Sequence, residues 1–195
     1  MTACVDGNDC TFELIAGGER VWPPPEILKR LHLLSLFQQR GHRTLVESGT
    51  YVGGTVEFFL PHASRIFTVE LDPVLFQDAT AKFATEPAVT VLHGDATEHI
   101  PRILADLHDP ALVWLDGHYS GGVTARGAED EPALTILAAL GEQGLPAGST
   151  IVVDDLRGFS DHADGLSLER LVGTARRAFP YARLRCQVDG LVIAA

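Results

Sequence analysis

A chain of 195 residues with 46% hydrophobic content is long enough to bury one good core and too short for two, so a single domain is expected. Its formal net charge of −11 argues against a nucleic-acid partner, because phosphate binding draws its strength from clustered Lys and Arg. No apolar run approaches the roughly 20 residues that cross a bilayer, and the opening residues lack the basic and apolar regions of a secretory leader, so a cytoplasmic protein without a membrane partner is expected.

In chain order, residues 1–43 read as an N-terminal segment with a cap helix, and residues 44–195 as the body of the domain. The three cysteines, Cys4, Cys10 and Cys186, are odd in number and form no CxxC pair, which argues against a disulfide scaffold. The stretch "VWPPPEILKRLHLLSLFQQRG" (21–41) starts with a proline triplet and continues as a leucine-rich helix. Leu28, Leu31, Leu34 and Phe37 are expected on its inner face, with the helix packed on a sheet edge. Short apolar runs then alternate with helical stretches: "TLVES" (44–48), "RIFTVEL" (65–71), "VTVLHG" (89–94), "ALVWLDG" (111–117) and "STIVVDD" (149–155). Continuous apolar strands separated by amphipathic helices predict an α/β fold, a Rossmann-like three-layer sandwich around a mostly parallel sheet. "LERLVGTARRAFP" reads as a last helix, and "YARLRCQVDGLVIAA" as an antiparallel hairpin about a tight turn at Asp189 and Gly190, for a sheet of seven strands.

In open α/β sheets ligands bind at the carboxyl ends of the strands, and the first strand–helix turn is the usual cradle. Here that turn reads "ESGTYVGGT" (47–55), where Gly49 permits a tight turn and Gly53 and Gly54 permit close approach of backbone to a ligand. The spacing GxxxGG is not the GxGxxG of dinucleotide folds, which removes the main support for a nicotinamide cofactor. Glu70 at the end of the next strand would be costly to desolvate alone, so a ligand or a pairing partner is expected for it. Asp95 either caps the following helix or borders a ligand. Asp116 ends the fourth strand, and Asp154 with Asp155 ends the fifth. Three carboxylates on adjacent strand ends repel unless something cationic sits between them, and magnesium suits such an oxygen set; helix capping or surface turns are the alternative. His118, two residues beyond Asp116, is a candidate general base, with orientation of a metal ligand, metal ligation itself or an inert loop position as its alternatives.

The segment "ESGTYVGGT" resembles the E-x-G-x-Y-x-G-x-S/T turn of class I S-adenosylmethionine (SAM)-dependent methyltransferases, most closely the metal-dependent catechol O-methyltransferase-like and macrolide-sugar O-methyltransferase-like group. "TVELDP" (68–73), "HGDATEHIP" (93–101), "WLDGHYSGG" (114–122) and "VVDDLRG" (152–158) continue the resemblance in order, from about Thr44 to Asp155. It implies that Glu47, Gly49, Tyr51 and Gly53 shape the methionine side of the cofactor site, that Glu70 takes the ribose, and that Asp95 lies by the adenine. It further implies Asp116, Asp154 and Asp155 as ligands of Mg2+ or another divalent cation, with Asp116 also bordering the cofactor. The catechol enzymes place a lysine three residues after the first metal Asp; Tyr119 stands at that spacing here, and His118 is the base some sugar-directed relatives would suggest.

The expectation is therefore a SAM-dependent, magnesium-dependent O-methyltransferase acting on a small hydroxylated molecule. The absence of an N/D-P-P-Y/F stretch after the fourth strand favours oxygen over nitrogen as acceptor. A short cap suggests a modest soluble substrate or a homodimer, with Trp22, Phe159 and His162 as candidate lining residues, Trp22 equally a staple of the first helix to the core, and Arg126 a candidate to bind an acidic substrate group. The alternatives are a methyltransferase-fold metalloenzyme of other chemistry, similar to the cephalosporin hydroxylases, and a catalytically silent SAM-binding partner, which would not need the acid cluster.

Overall fold

The computed structural model describes residues 23–116, 132–159 and 167–195 in full and the backbone of residues 3–4, 15–16 and 19–20. Three two-residue strands come first, β1 (Ala3–Cys4), β2 (Ile15–Ala16) and β3 (Glu19–Arg20). Helix α1 (Glu26–Gln39) follows, and then the alternating core: β4 (Thr44–Ser48), α2 (Gly54–Phe59), β5 (Arg65–Glu70), α3 (Pro73–Lys82), β6 (Val89–His93), α4 (Ala96–Ala105) and β7 (Ala111–Leu115). Helix α5 (Pro132–Gln143), β8 (Thr150–Val153), a 3-10 turn (Leu156–Gly158), α6 (Leu168–Ala178), β9 (Arg183–Gln187) and β10 (Gly190–Ala194) complete it.

The sheet runs β1-β9-β10-β8-β7-β4-β5-β6. The five strands from β8 to β6 are parallel, as the apolar runs predicted, and β10 enters antiparallel between β8 and β9. The predicted seven strands are β4 to β10; the short β1 adds to the outer side of β9. The hairpin turn lies one residue earlier than the Asp189–Gly190 reading: Val188 and Asp189 carry positive φ, +48° and +61°, while Gly190 is already paired with Gln187. Positive φ at both central residues matches the twist of the strands, and at β-branched Val188 it is a strained conformation that the flanking pairs must hold.

Period-two alternation divides the core. Leu45, Leu112, Trp114 and Val152 face α1, α2 and α3, while Val46, Val113, Leu115, Ile151 and Val153 face α4, α5 and α6. This is the three-layer sandwich. Aspartates at two helix starts fix the register of the crossovers: Asp72 accepts from the Val74 and Leu75 N–H groups ahead of Pro73, and Asp95 accepts from the Thr97 N–H.

Helix α1 departs from the sequence reading in two ways. It packs on the face of the sheet rather than its edge, with Leu33 and Phe37 in one cluster with Leu45, Phe59 and Trp114. Its buried stripe is Lys29, Leu33 and Phe37, whereas Leu31 is 48% exposed. The helix is turned about one residue from the leucine-based expectation because Phe37 seats edge-on against Phe59, ring centroids 5.4 Å apart. Truncation of Phe37 to Ala is expected to cost about 3–5 kcal/mol of unfolding free energy, and Leu31→Ala less than about 0.5 kcal/mol; urea denaturation of the two variants checks the assignment of the inner face.

Candidate functional site

The turn after β4 is built from both sides. Gly49 (φ +80°) and Gly53 (φ +76°) adopt the left-handed backbone, and a Cβ on Gly53 would meet the Phe83 ring at 2.7 Å. Tyr51, not a glycine, also has φ +49° and stands 52% exposed at the tip. Lys82 reaches over from α3 to donate to the Val52 carbonyl at 2.7 Å and to pair with Glu57 at 2.9 Å. A buried relay lies beneath: the Thr50 and Thr68 hydroxyl oxygens are 2.7 Å apart, and Thr68 donates to Glu47 at 2.7 Å. Burial pushes the Glu47 carboxyl from 4.5 up to about 7, against the opposing pull of the Thr68 and Thr55 hydroxyls and the positive charge of Arg30.

Glu70, 6% exposed at the end of β5, has found partners. One oxygen accepts the Tyr51 N–H at 2.8 Å and the other the Asp72 N–H at 2.9 Å, so the carboxylate binds the glycine turn to the start of α3. Each oxygen accepts up to two hydrogen bonds, so this arrangement retains acceptor capacity. Asp95 caps α4 through Oδ1, which accepts from both the N–H and the hydroxyl of Thr97. The Phe76 and His93 rings stack at 4.8 Å on the same edge, between α3 and the end of β6.

Adjacency of β7 and β8 brings Asp116, Asp154 and Asp155 together, with one carboxylate oxygen from each within 4.8 Å of the others. The sequence reading left the cation between them as magnesium. The structure places Lys29 there: its Nζ donates to Asp154 Oδ2 at 2.8 Å and to Asp155 Oδ1 at 2.6 Å, and its side chain is 3% exposed. Burial on its own lowers the Lys29 pKa, but Asp154 and Asp155 outweigh it and the net shift is upward, so the ammonium is retained. Burial, then the charges of Asp154 and Asp155, drive the Asp116 carboxyl well above the usual carboxylate range. The cluster therefore relieves part of its repulsion through the Lys29 ammonium on Asp154 and Asp155 and the Arg157 guanidinium on Asp155.

An oxygen-only donor set suits a hard divalent cation, and Asp154 Oδ1, fully buried, has no hydrogen-bond partner among the described residues. Lys29 nevertheless stands on two of the three acids, and a second cation there would face the ammonium at close range. With Lys29 in place the cluster does not fit a divalent ion.

Two further contacts hold the acid-bearing loop. Asp155 has left-handed backbone (φ +55°) and pairs with Arg157 at 2.5 Å. Arg157 also donates from its guanidinium and backbone N–H to the buried Asp189 in the hairpin turn, and the Leu156 N–H donates to the Asp189 carbonyl at 2.8 Å. Next to Lys29, the Arg30 guanidinium lies where a Cβ on Gly54 would meet it at 2.7 Å, so α1 touches both the acid cluster and the glycine turn. Sequence reasoning does not single out Lys29, Arg30 or Arg157, and it reads Asp189 only as a turn residue. A signal existed for Lys29: it shares the i, i+4, i+8 stripe of Leu33 and Phe37, and it is one of only two lysines in the chain. Phe159, expected to line the site, is buried in the core with Leu156 and Leu171. His118, Tyr119, Arg126, Trp22 and His162 lie outside the described residues.

The Glu47 shift has a pH signature. A carboxyl whose folded pKa lies above its unfolded one contributes stability that is present below pH 4.5 and is lost as the pH rises through about 7. Glu47→Gln is expected to stabilise the protein at pH 8 by roughly 3 kcal/mol, with the advantage fading below pH 5; urea midpoints across that range check it, and a constant difference would contradict a buried, protonatable Glu47.

No family model matches the chain, and no curated protein matches it in sequence. Solved structures share its fold. The O-methyltransferase from Bacillus cereus in complex with SAH aligns over 90% of this chain and 84% of its own, with 17% identity and a TM-score of 0.56. The O-methyltransferase TomG from Streptomyces achromogenes, involved in tomaymycin synthesis and in complex with SAM, aligns over 88% and 80%, with 18% identity and a TM-score of 0.55. Spermidine synthase from Thermotoga maritima aligns over 87% of this chain and 60% of its own, with 13% identity and a TM-score of 0.58. The chain has the Rossmann-like fold that these enzymes share.

Proposed function

We propose that the chain is a SAM-dependent O-methyltransferase acting on a small hydroxylated molecule. The observation that carries this reading is Glu70: a carboxylate at the end of β5, held by the Tyr51 and Asp72 N–H groups beside a left-handed glycine turn, with acceptor capacity for two hydroxyls. The O-methyltransferases among its structural neighbours, bound to SAM or SAH, favour the same cofactor. Neighbours at such identity share a fold that a spermidine synthase also has, so the fold alone does not fix the acceptor.

SAM supplies an electrophilic methyl group on a sulfonium. Gly49, Tyr51 and Gly53 would shape the methionine side, Glu70 would receive the ribose hydroxyls, and Asp95 with the Phe76–His93 stack would border the adenine. The acceptor lies over Asp116, Asp154 and Asp155, and His118 takes the proton that its hydroxyl releases. These groups would act mainly by positioning the acceptor hydroxyl against the methyl group that SAM would supply. A magnesium-dependent form of the reaction, with the three aspartates as ligands, is favoured by the orphaned Asp154 Oδ1 and requires the Lys29 ammonium to withdraw.

Calorimetric titration with SAM, followed by transfer of labelled methyl to a panel of phenols, sugars and hydroxy acids, tests the reading. Glu70→Gln is expected to weaken SAM binding by about tenfold or more, since hydrogen bonds to a charged acceptor contribute roughly 1.5–3 kcal/mol each. Unchanged affinity in that variant would remove the ribose role, and absence of SAM binding to the native protein would remove the cofactor.

A further inference from the structure

We propose that Lys29 is the resident cation of the acid cluster and that a divalent ion and this ammonium exclude one another there. Lys29 sits on the inner face of α1, one turn before Leu33 and two before Phe37, so the helix packing that buries those two residues delivers the ammonium to a fixed place. Its Nζ lies 2.8 Å from Asp154 and 2.6 Å from Asp155, on carboxylates that belong to adjacent residues of one strand end. Arg157 pairs with the same Asp155 oxygen and also with Asp189 in the hairpin turn. Those contacts engage Asp154 Oδ2 and Asp155 Oδ1 and leave Asp154 Oδ1, in a fully buried side chain, without a partner among the described residues. That orphaned oxygen points to a site with donor capacity beyond what the lysine uses. A divalent ion gathering Asp116, Asp154 and Asp155 would lie against the same carboxylates that hold the ammonium, at distances where two positive charges repel strongly. Occupancy by one therefore requires departure of the other, and Lys29, tethered by its own helix, has the advantage of an effective concentration that no free ion matches.

The inference concerns the acids and α1, and it holds whether or not SAM is the cofactor. Its test is direct binding of Mn2+ to the cofactor-free protein, followed by the loss of the free-ion paramagnetic resonance signal. Lys29→Met is expected to bind one Mn2+ at least about tenfold more tightly than the native chain, and Arg30→Gln, which removes a positive charge from the same helix at a residue that pairs with Glu26 rather than with the acids, is expected to gain distinctly less. Equal affinity in the native chain and Lys29→Met, no binding by Lys29→Met, or an equal gain in both variants would each overturn the proposal.

A second measurement needs no variant, and so survives if Lys29→Met does not fold. The chain has two lysines, Lys29 with 3% and Lys82 with 35% side-chain exposure, so acylation read by mass spectrometry separates them. Protection of Lys29 with no Mn2+ bound to the native protein, or reactivity of Lys29 only once Mn2+ is bound, supports exclusion. Bound Mn2+ with Lys29 still protected overturns it. Failure of SAM to bind in calorimetry would remove the methyltransferase reading and leave these results standing.

Discussion

The arrangement of this molecule turns on an ammonium buried between two carboxylates. Taking one of these charges out of water alone costs several kcal/mol, and only tight mutual contact offsets it. Lys29, Asp154 and Asp155 meet that condition at 2.6–2.8 Å. Because removal of either partner would leave a charge stranded, the contact fixes the rotation of α1 as firmly as its apolar stripe does. The apolar and ionic parts of the helix agree: the turn that seats Phe37 on Phe59 also aims Lys29 at the end of β8.

Around this contact the sheet does the rest of the positioning. Parallel pairing of β7 with β8 brings three acids to one edge, and parallel pairing of β4 with β5 sets Glu70 beside the glycine turn. Helix α1 bridges the two halves, since Lys29 reaches the acids while Arg30 lies against Gly54. Two non-glycine residues on this edge, Tyr51 and Asp155, carry left-handed backbone. Such strain persists only where surrounding contacts determine it, here the Glu70 carboxylate for Tyr51 and Arg157 with Lys29 for Asp155.

Much of this was legible in the sequence because it depends on local pattern. Apolar runs at near-regular spacing gave the parallel strands, and aspartate before a helix gave the cap at Asp95 as one of its two readings. The need for a cation among Asp116, Asp154 and Asp155 followed from charge alone. Its identity did not, because the counter-charge comes from a residue 125 positions earlier, and no periodicity reports such a distance. Leu31 was assigned inward on hydrophobicity, whereas the actual stripe includes a lysine whose aliphatic stem packs like an apolar side chain and whose charge is met at the tip. The Asp-Gly pair reads as the centre of the hairpin turn, one residue late, because the left-handed backbone falls on Val188 and Asp189 instead.

The position of β10 within the sheet bears on how the chain is made. It is later in sequence than β8 and β9 yet lies between them, and its hairpin turn supplies Asp189 to hold the loop after β8. During synthesis, β4 to β8 can therefore assemble while β8 remains an open edge with unpaired backbone groups. A nascent chain at that stage offers neighbouring ribosome products a ready template for strand exchange. Threading of residues 190–194 closes that hazard and, in the same event, braces the loop that follows Asp154.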